Sequence, residues 1–154
     1  MERTQKKMRL CIALLVCNVI FVWGNSMLPG EISGAISGFV KDLVACFIPG
    51  MDGDGGGGHG LLRKAAHFAE FACLGALLTW LLFMLRKAKV LAVAGAFLIA
   101  CADEMIQRFV PDRGPAFKDV LIDTSGAIVG MILLLVGYAY VKRRKKQAME
   151  ETEQ

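Results

Sequence analysis

Four apolar stretches constrain the fold of this chain more than any other feature. They cover residues 10–23, 68–85, 90–102 and 120–141. A helix needs about 20 residues to cross roughly 30 Å of hydrocarbon, and it satisfies its own backbone hydrogen bonds there. With 55% apolar residues and a mean hydropathy of +0.51, the sequence predicts an all-α polytopic membrane protein with about four transmembrane helices.

The third apolar stretch is too short to cross a membrane by itself. Residues 90–102 would form about 20 Å of helix at 1.5 Å per residue. No helix-breaking residue follows until Pro111, so Asp103, Glu104 and Gln107 are expected to complete the span. The sequence therefore predicts carboxylates inside the membrane.

The distribution of basic residues predicts that both chain ends lie in the cytoplasm. Twelve of the 18 lysine and arginine residues fall within residues 1–9, 86–89 and 142–154. Segments with such an excess stay on the cytoplasmic side of a membrane. We therefore expect a basic N-terminal tail over residues 1–9, a transmembrane domain over residues 10–141 and a basic, then acidic tail over residues 142–154. The expected location is the plasma membrane.

Two regions allow more than one interpretation. Residues 1–24 also fit a secretory signal peptide, whose removal would leave the other three spans in the same orientation. The first outer loop begins with an apolar, glycine-containing segment that is expected to form an interfacial or re-entrant helix. Residues 52–60 are so rich in glycine that they predict a flexible tether, and they lack the full ligand set of a calcium loop.

Cysteine and histidine give no indication of a metal site. The five cysteines are an odd number without metal-ligand spacing, and four lie in apolar stretches where cysteine behaves as a small hydrophobe. One histidine in the membrane region makes zinc a weak candidate, and magnesium at Asp103 or Asp119 has no further support. We therefore expect no metal and no cofactor. No nucleic-acid partner is expected either, because the basic C-terminal tail is better explained by contact with anionic lipid.

Ionisable residues away from the cytoplasmic flanks are predicted to converge at the outer side of the membrane. Spacings of three or four residues place several of them on one face of the second, third and fourth helices. A charge at mid-membrane costs about 3 kcal/mol, so such groups are expected to face a shared polar pocket rather than lipid. The predicted ligand-binding set is Ser26, Lys64, His67, Glu70, Asp103, Glu104, Gln107, Arg113, Asp119 and Asp123.

Two functions are open for this predicted pocket. Its ion pairs could simply join the helices, since buried ion pairs can specify packing. Alternatively, a histidine beside carboxylates can act as a general base, and Arg113 can bind a phosphate or carboxylate through two hydrogen bonds. The catalytic candidates are His67, Glu70, Asp103 and Glu104. Gly126 and Gly130 form a Gly-x-x-x-Gly pair that indicates close helix packing.

Four blocks of these residues resemble the VanZ-like family of bacterial membrane proteins, which is named for a member linked to teicoplanin resistance. The blocks are Asn25-Ser26 with the serines that follow, then residues 64–71, 103–113 and 119–126. Together they contain the combination His-x-x-Glu, Asp-Glu-x-x-Gln and Asp-x-x-x-Asp-x-x-Gly. The resemblance implies an all-helical membrane fold, a role in the cell envelope and lowered sensitivity to glycopeptide antibiotics. It implies no known reaction.

Three hypotheses of function follow from the residues and the resemblance. The first is a non-enzymatic envelope protein that binds a membrane lipid, a lipid-linked envelope precursor or the glycopeptide target. The second is an intramembrane enzyme that acts on a phosphate-containing lipid. The third is a small transporter or an accessory subunit, although a charge band confined to one side argues against a path through the membrane.

Overall fold

Four helices make up the structure. The computed structural model describes residues 2–29, 31–32, 58–111 and 113–152, and no strand occurs among them. The helices are α1 (Glu2–Ser26), α2 (Gly58–Met84), α3 (Val90–Gln107) and α4 (Phe117–Thr152). Each contains a segment long and apolar enough to cross a membrane. The prediction of an all-helical protein with four spans is confirmed.

Helix α3 includes the acidic residues that follow its apolar stretch. It begins at Val90 and ends at Gln107. The backbone N–H of Arg108 still donates to the carbonyl of Glu104 at 3.2 Å, and the chain leaves the helix before Pro111. The predicted extension of this span through Asp103 is therefore confirmed.

Helix α2 begins earlier than the glycine content of the preceding segment suggests. Its first residue is Gly58, so residues 58–60 are helical and are not part of a flexible tether. Each glycine costs about 1 kcal/mol relative to alanine in a helix interior, and the long apolar helix that follows offsets this cost at its first turn. Residues 52–57 and most of the predicted interfacial helix lie outside the described residues.

Glycines allow α2 and α4 to approach each other closely. A methyl group on Gly126 would collide with the backbone of Phe68, and one on Gly130 would collide with the backbone of Ala72. A methyl group on Gly75 of α2 would likewise collide with the backbone of Ala127 in α4. Such small residues are the usual means by which membrane helices pack without a hydrophobic driving force.

The remaining side chains divide between a narrow core and a broad apolar exterior. Large apolar residues such as Ile20, Leu98 and Leu133 are 65%, 67% and 66% exposed, which suits contact with lipid rather than water. The core is built from side chains of all four helices: Val22, Phe71, Leu74, Ala96, Ala100, Val120 and Ala127.

The turn between α2 and α3 ends the first of these helices through a left-handed residue. Arg86 has a φ of 56°, the one positive value among the described non-glycine residues. Its N–H donates to the carbonyl of Phe83 at 3.2 Å, and the N–H of Lys87 donates to that of Leu82 at 2.9 Å. This pair of bonds is the Schellman motif, in which glycine usually occupies the left-handed position.

Candidate functional site

Among the described residues, all the buried polar side chains except Thr79 collect at one end of the bundle. At this end α1 and α3 finish and α2 and α4 begin, opposite both chain termini. We call this group the polar cluster. Its members are all at most 9% exposed: Ser26, His67, Asp103, Glu104, Gln107, Arg113 and Asp123.

Asp103 lies at the centre of the hydrogen bonds between α1 and α3. Ser26 Oγ donates to Asp103 Oδ2 at 2.8 Å, and Gln107 Nε2 donates to the same oxygen at 2.9 Å. Gln107 Nε2 also donates to Ser26 Oγ at 3.2 Å. One turn of helix separates Asp103 from Gln107, which is why both reach one point. Oxygen Oδ2 is therefore firmly positioned, while Oδ1 has no hydrogen-bond partner among the described residues.

The end of α1 is joined to α2 and to the loop before α4. Asn25 Nδ2 donates to Glu70 Oε1 at 2.9 Å, and Arg113 Nη2 donates to the carbonyl of Asn25 at 3.3 Å. From the sequence, Asn25 was named only as part of a motif of the family that the chain resembles. Its side chain instead orients a carboxylate on a neighbouring helix.

Glu104 positions the start of α4. Its Oε2 accepts a 2.7 Å hydrogen bond from the backbone N–H of Ala116, immediately before the helix begins at Phe117. A carboxylate at this point interacts favourably with the free N–H groups and the dipole of the helix. Glu104 is thus already engaged in the structure of the site.

Basic side chains stand at the rim of the polar cluster. Lys64 Nζ lies 3.1 Å from Asp119 Oδ1, and the two side chains are 43% and 18% exposed. Beneath them lies a cavity of about 10 Å³, which holds roughly one water molecule. Its walls are formed by Arg63, Lys64, His67, Glu104, Gln107, Asp119, Ile122 and Asp123.

Arg63 was missed as a site residue in the sequence analysis, where it counted only as a topology charge. It precedes His67 by four residues in α2, so helical spacing alone could have placed it on the same face. Arg63 lines the cavity and is therefore a second cation there, beside Lys64.

Arg113 is the buried cation of the cluster. Burial lowers the pKa of its guanidinium from the ordinary value, and the nearby Arg63 lowers it further, while Asp103 and Glu104 raise it. Arginine nevertheless stays charged at neutral pH. Its Nε and Nη1 are buried and have no hydrogen-bond partner in the described part of the chain, a state that costs free energy.

Three of the buried residues, each on a different helix, bring potential metal-ligand atoms close together. Atoms of His67, Asp103 and Asp123 all lie within 4.8 Å of one another. His67 Nδ1 is 4.0 Å from Asp103 Oδ2 and lacks a hydrogen-bond partner among the described residues. This spacing suits coordination of a cation between the side chains, whereas direct proton transfer from imidazole to carboxylate would need a shorter contact.

The structure therefore brings nearly all of the predicted ligand-binding residues to one end of the bundle. Seven of the ten form the polar cluster, and Lys64 and Asp119 form its rim. Glu70 lies beside the cluster, hydrogen-bonded to Asn25. Gly126 and Gly130 lie apart from this site, against the backbone of α2.

Fold and site together define a class of protein: a multi-pass helical membrane protein with a buried polar cluster at one end of its bundle. The sequence model of the VanZ/LLP1 family matches residues 10–138. The chain belongs to this family, and the resemblance seen in its motifs is confirmed. No curated protein and no solved structure matches the chain.

Proposed function

We propose that this protein binds the anionic headgroup of an envelope lipid or of a lipid-linked precursor at the outer face of a bacterial plasma membrane. By occupying or displacing that lipid it lowers sensitivity to glycopeptide antibiotics such as teicoplanin. The observation that carries the proposal is the buried polar cluster with Arg63 and Lys64 at its rim, at the end of the bundle away from both termini.

The chemistry of the site suits a headgroup with two kinds of polar groups. The Arg63 and Lys64 cations at the rim attract a phosphate, and the buried positive charge of Arg113 adds to that attraction. The carboxylate of Asp119 at the rim can accept hydrogen bonds from hydroxyl or amine groups. Because the cavity holds about one water, the headgroup is placed at the rim rather than inside the bundle.

The first test of this proposal is the teicoplanin susceptibility of a sensitive bacterial host. Expression of the wild type should raise the inhibitory concentration, and Lys64→Gln should remove most of this protection at equal membrane abundance. Lys146→Gln is the matched control, because Lys146 also pairs with a carboxylate, at 3.6 Å, but at the far end of α4. If the wild type gives no protection, the antibiotic part of the proposal is withdrawn.

Binding itself can be measured with a polyprenyl phosphate and the purified protein in detergent. Lys64→Gln should weaken this binding by roughly tenfold, the effect of losing one charge-assisted contact. Lys146→Gln should bind as the wild type does. Equal affinity of all three proteins would contradict a role for the rim.

An intramembrane enzyme remains the second candidate, because His67 Nδ1 lies 4.0 Å from Asp103 and Glu70 lies nearby. Glu70→Gln separates the two functions, since it keeps the shape and the hydrogen-bonding capacity but removes the charge. The binding proposal predicts that Glu70→Gln retains protection. A loss of protection at equal abundance would favour the enzyme.

A further inference from the structure

We propose that His67, Asp103 and Asp123 form a binding site for a divalent transition-metal ion, Zn²⁺ or Mn²⁺. The proposal goes beyond the lipid-binding function and does not depend on it. The three residues come from α2, α3 and α4, and they are 7%, 0% and 2% exposed. Their potential ligand atoms lie within 4.8 Å of one another.

Two of these ligand atoms are buried without a hydrogen-bond partner. His67 Nδ1 and Asp103 Oδ1 have none among the residues that the structure describes. A buried polar atom left unsatisfied costs about 1–3 kcal/mol, and more when it is charged. A cation placed between the two side chains would satisfy both atoms at once.

The second carboxylate oxygen of Asp103, Oδ2, is held by hydrogen bonds, as is common for a carboxylate that coordinates a metal. Ser26 Oγ and Gln107 Nε2 donate to Oδ2 at 2.8 and 2.9 Å. Hydrogen bonds of this kind fix the orientation of a coordinating carboxylate and are a regular part of metal sites. Oδ1 has no hydrogen-bond partner among the described residues, and Oδ2 is the oxygen that lies 4.0 Å from His67 Nδ1.

The carboxylates in and beside the cluster outnumber its cations, which are Arg63, Lys64 and Arg113, by five to three. The five carboxylates are Glu70, Asp103, Glu104, Asp119 and Asp123. Lys64 is paired with Asp119 at the rim, and Glu104 accepts a hydrogen bond from the start of α4. Asp123 forms no ion pair with any lysine or arginine in the described ranges. A divalent ion would neutralise Asp103 and Asp123 together inside a region from which water is largely excluded.

The ligand set selects among metals. One imidazole with two carboxylates suits Zn²⁺ or Mn²⁺ better than the all-oxygen sites of Mg²⁺ and Ca²⁺. Bonds of about 2.0–2.2 Å require the side chains to draw together from their present spacing, by rotation about their χ angles. The adjoining cavity, lined by His67 and Asp123, has space for about one water. That water would complete the coordination of a three-ligand site.

The test uses the full chain, purified in detergent and stripped with EDTA. Zn²⁺ or Mn²⁺ alone is added, without lipid, and binding is followed by calorimetry and by bound metal per protein. The wild type should bind one ion and melt at a higher temperature with it. Mg²⁺ at the same concentration should have little effect.

Two pairs of variants assign the binding to the proposed ligands. His67→Gln and Asp123→Asn should weaken affinity by more than about 100-fold, since even outer-shell partners of a metal contribute 10- to 100-fold. His59→Gln removes the other histidine, and Glu150→Gln removes a carboxylate at the far end of α4. Both variants should bind as the wild type does. Unchanged affinity in His67→Gln and Asp123→Asn would overturn the proposal.

A spectroscopic measurement keeps the result independent of stability. With ¹⁵N-histidine labelling, pulsed paramagnetic resonance of bound Mn²⁺ should detect a coordinated imidazole nitrogen, and His67→Gln should lose this signal while folded protein remains. A wild type that binds no ion, or binds it without a nitrogen ligand, excludes the site. Because no lipid is present, this failure is distinct from failure of the lipid-binding proposal.

Discussion

At the scale of single residues, Ser26 shows how strongly one small side chain can matter in this site. It is fully buried, and its hydroxyl donates to Asp103 at 2.8 Å. Ser26→Ala should lower the free energy of unfolding by about 2 kcal/mol, the usual loss for a buried hydrogen bond to a charged group. Thermal melting in detergent measures the effect.

Ser125→Ala is the matched control for this change. The Ser125 hydroxyl is exposed and donates to the Ile122 carbonyl of its own helix at 2.6 Å. Its loss should change the melting temperature little. Equal destabilisation by both substitutions would mean that Ser26 contributes as a helix residue and not through Asp103.

Arg86 is the second residue with a distinct energetic effect. Its φ of 56° is unfavourable for a side chain with a Cβ, by about 1–2 kcal/mol. Arg86→Gly should therefore raise the free energy of unfolding by about 1 kcal/mol, because glycine adopts this conformation without strain. Lys87→Gly removes the same charge from the same turn, and it should be neutral or destabilising in the same melting experiment.

At the scale of helices, the contact of α2 with α4 determines how closely the site's residues approach each other. Gly130→Ala should destabilise the protein by about 1–3 kcal/mol, the usual cost of overpacking, because its methyl group meets the backbone of Ala72. Gly137→Ala is the control: nothing lies within 4 Å of the added atom. That change should be neutral or stabilising. A tolerated Gly130→Ala would show that α2 and α4 are further apart than described.

The positions of the helices were more predictable from the sequence than the contacts between them. Hydropathy and the absence of helix breakers before Pro111 sufficed to place Asp103 within a span. Spacings of three and four residues identified most of the polar cluster. The shared pocket of His67, Asp103 and Asp123 was predicted, but the approach of their ligand atoms to within 4.8 Å was not. Distances between side chains on different helices depend on how closely the helices pack. The bond from Asn25 to Glu70 was missed for the same reason.

At the scale of the whole molecule, orientation in the membrane is the prediction that decides where the polar cluster acts. In a variant without native cysteines, a cysteine at Gly114 should react from outside with a membrane-impermeant maleimide. A cysteine at Lys87 should react only after permeabilisation, because its turn lies at the opposite end of the bundle. Both residues are exposed, so access to them is comparable. The reverse labelling pattern would place the cluster in the cytoplasm.

The position of the polar cluster also has a consequence for biogenesis. Synthesis proceeds from the N-terminus, so α3 reaches the membrane with Asp103 and Glu104 before α4 is complete. Entering lipid alone, each carboxylate would cost about 3 kcal/mol. Ser26 is already present on α1, however, and it bonds to Asp103 in the finished protein. Helix α3 is therefore expected to leave the translocation machinery against its predecessors, as part of a partly assembled bundle rather than as an independent segment.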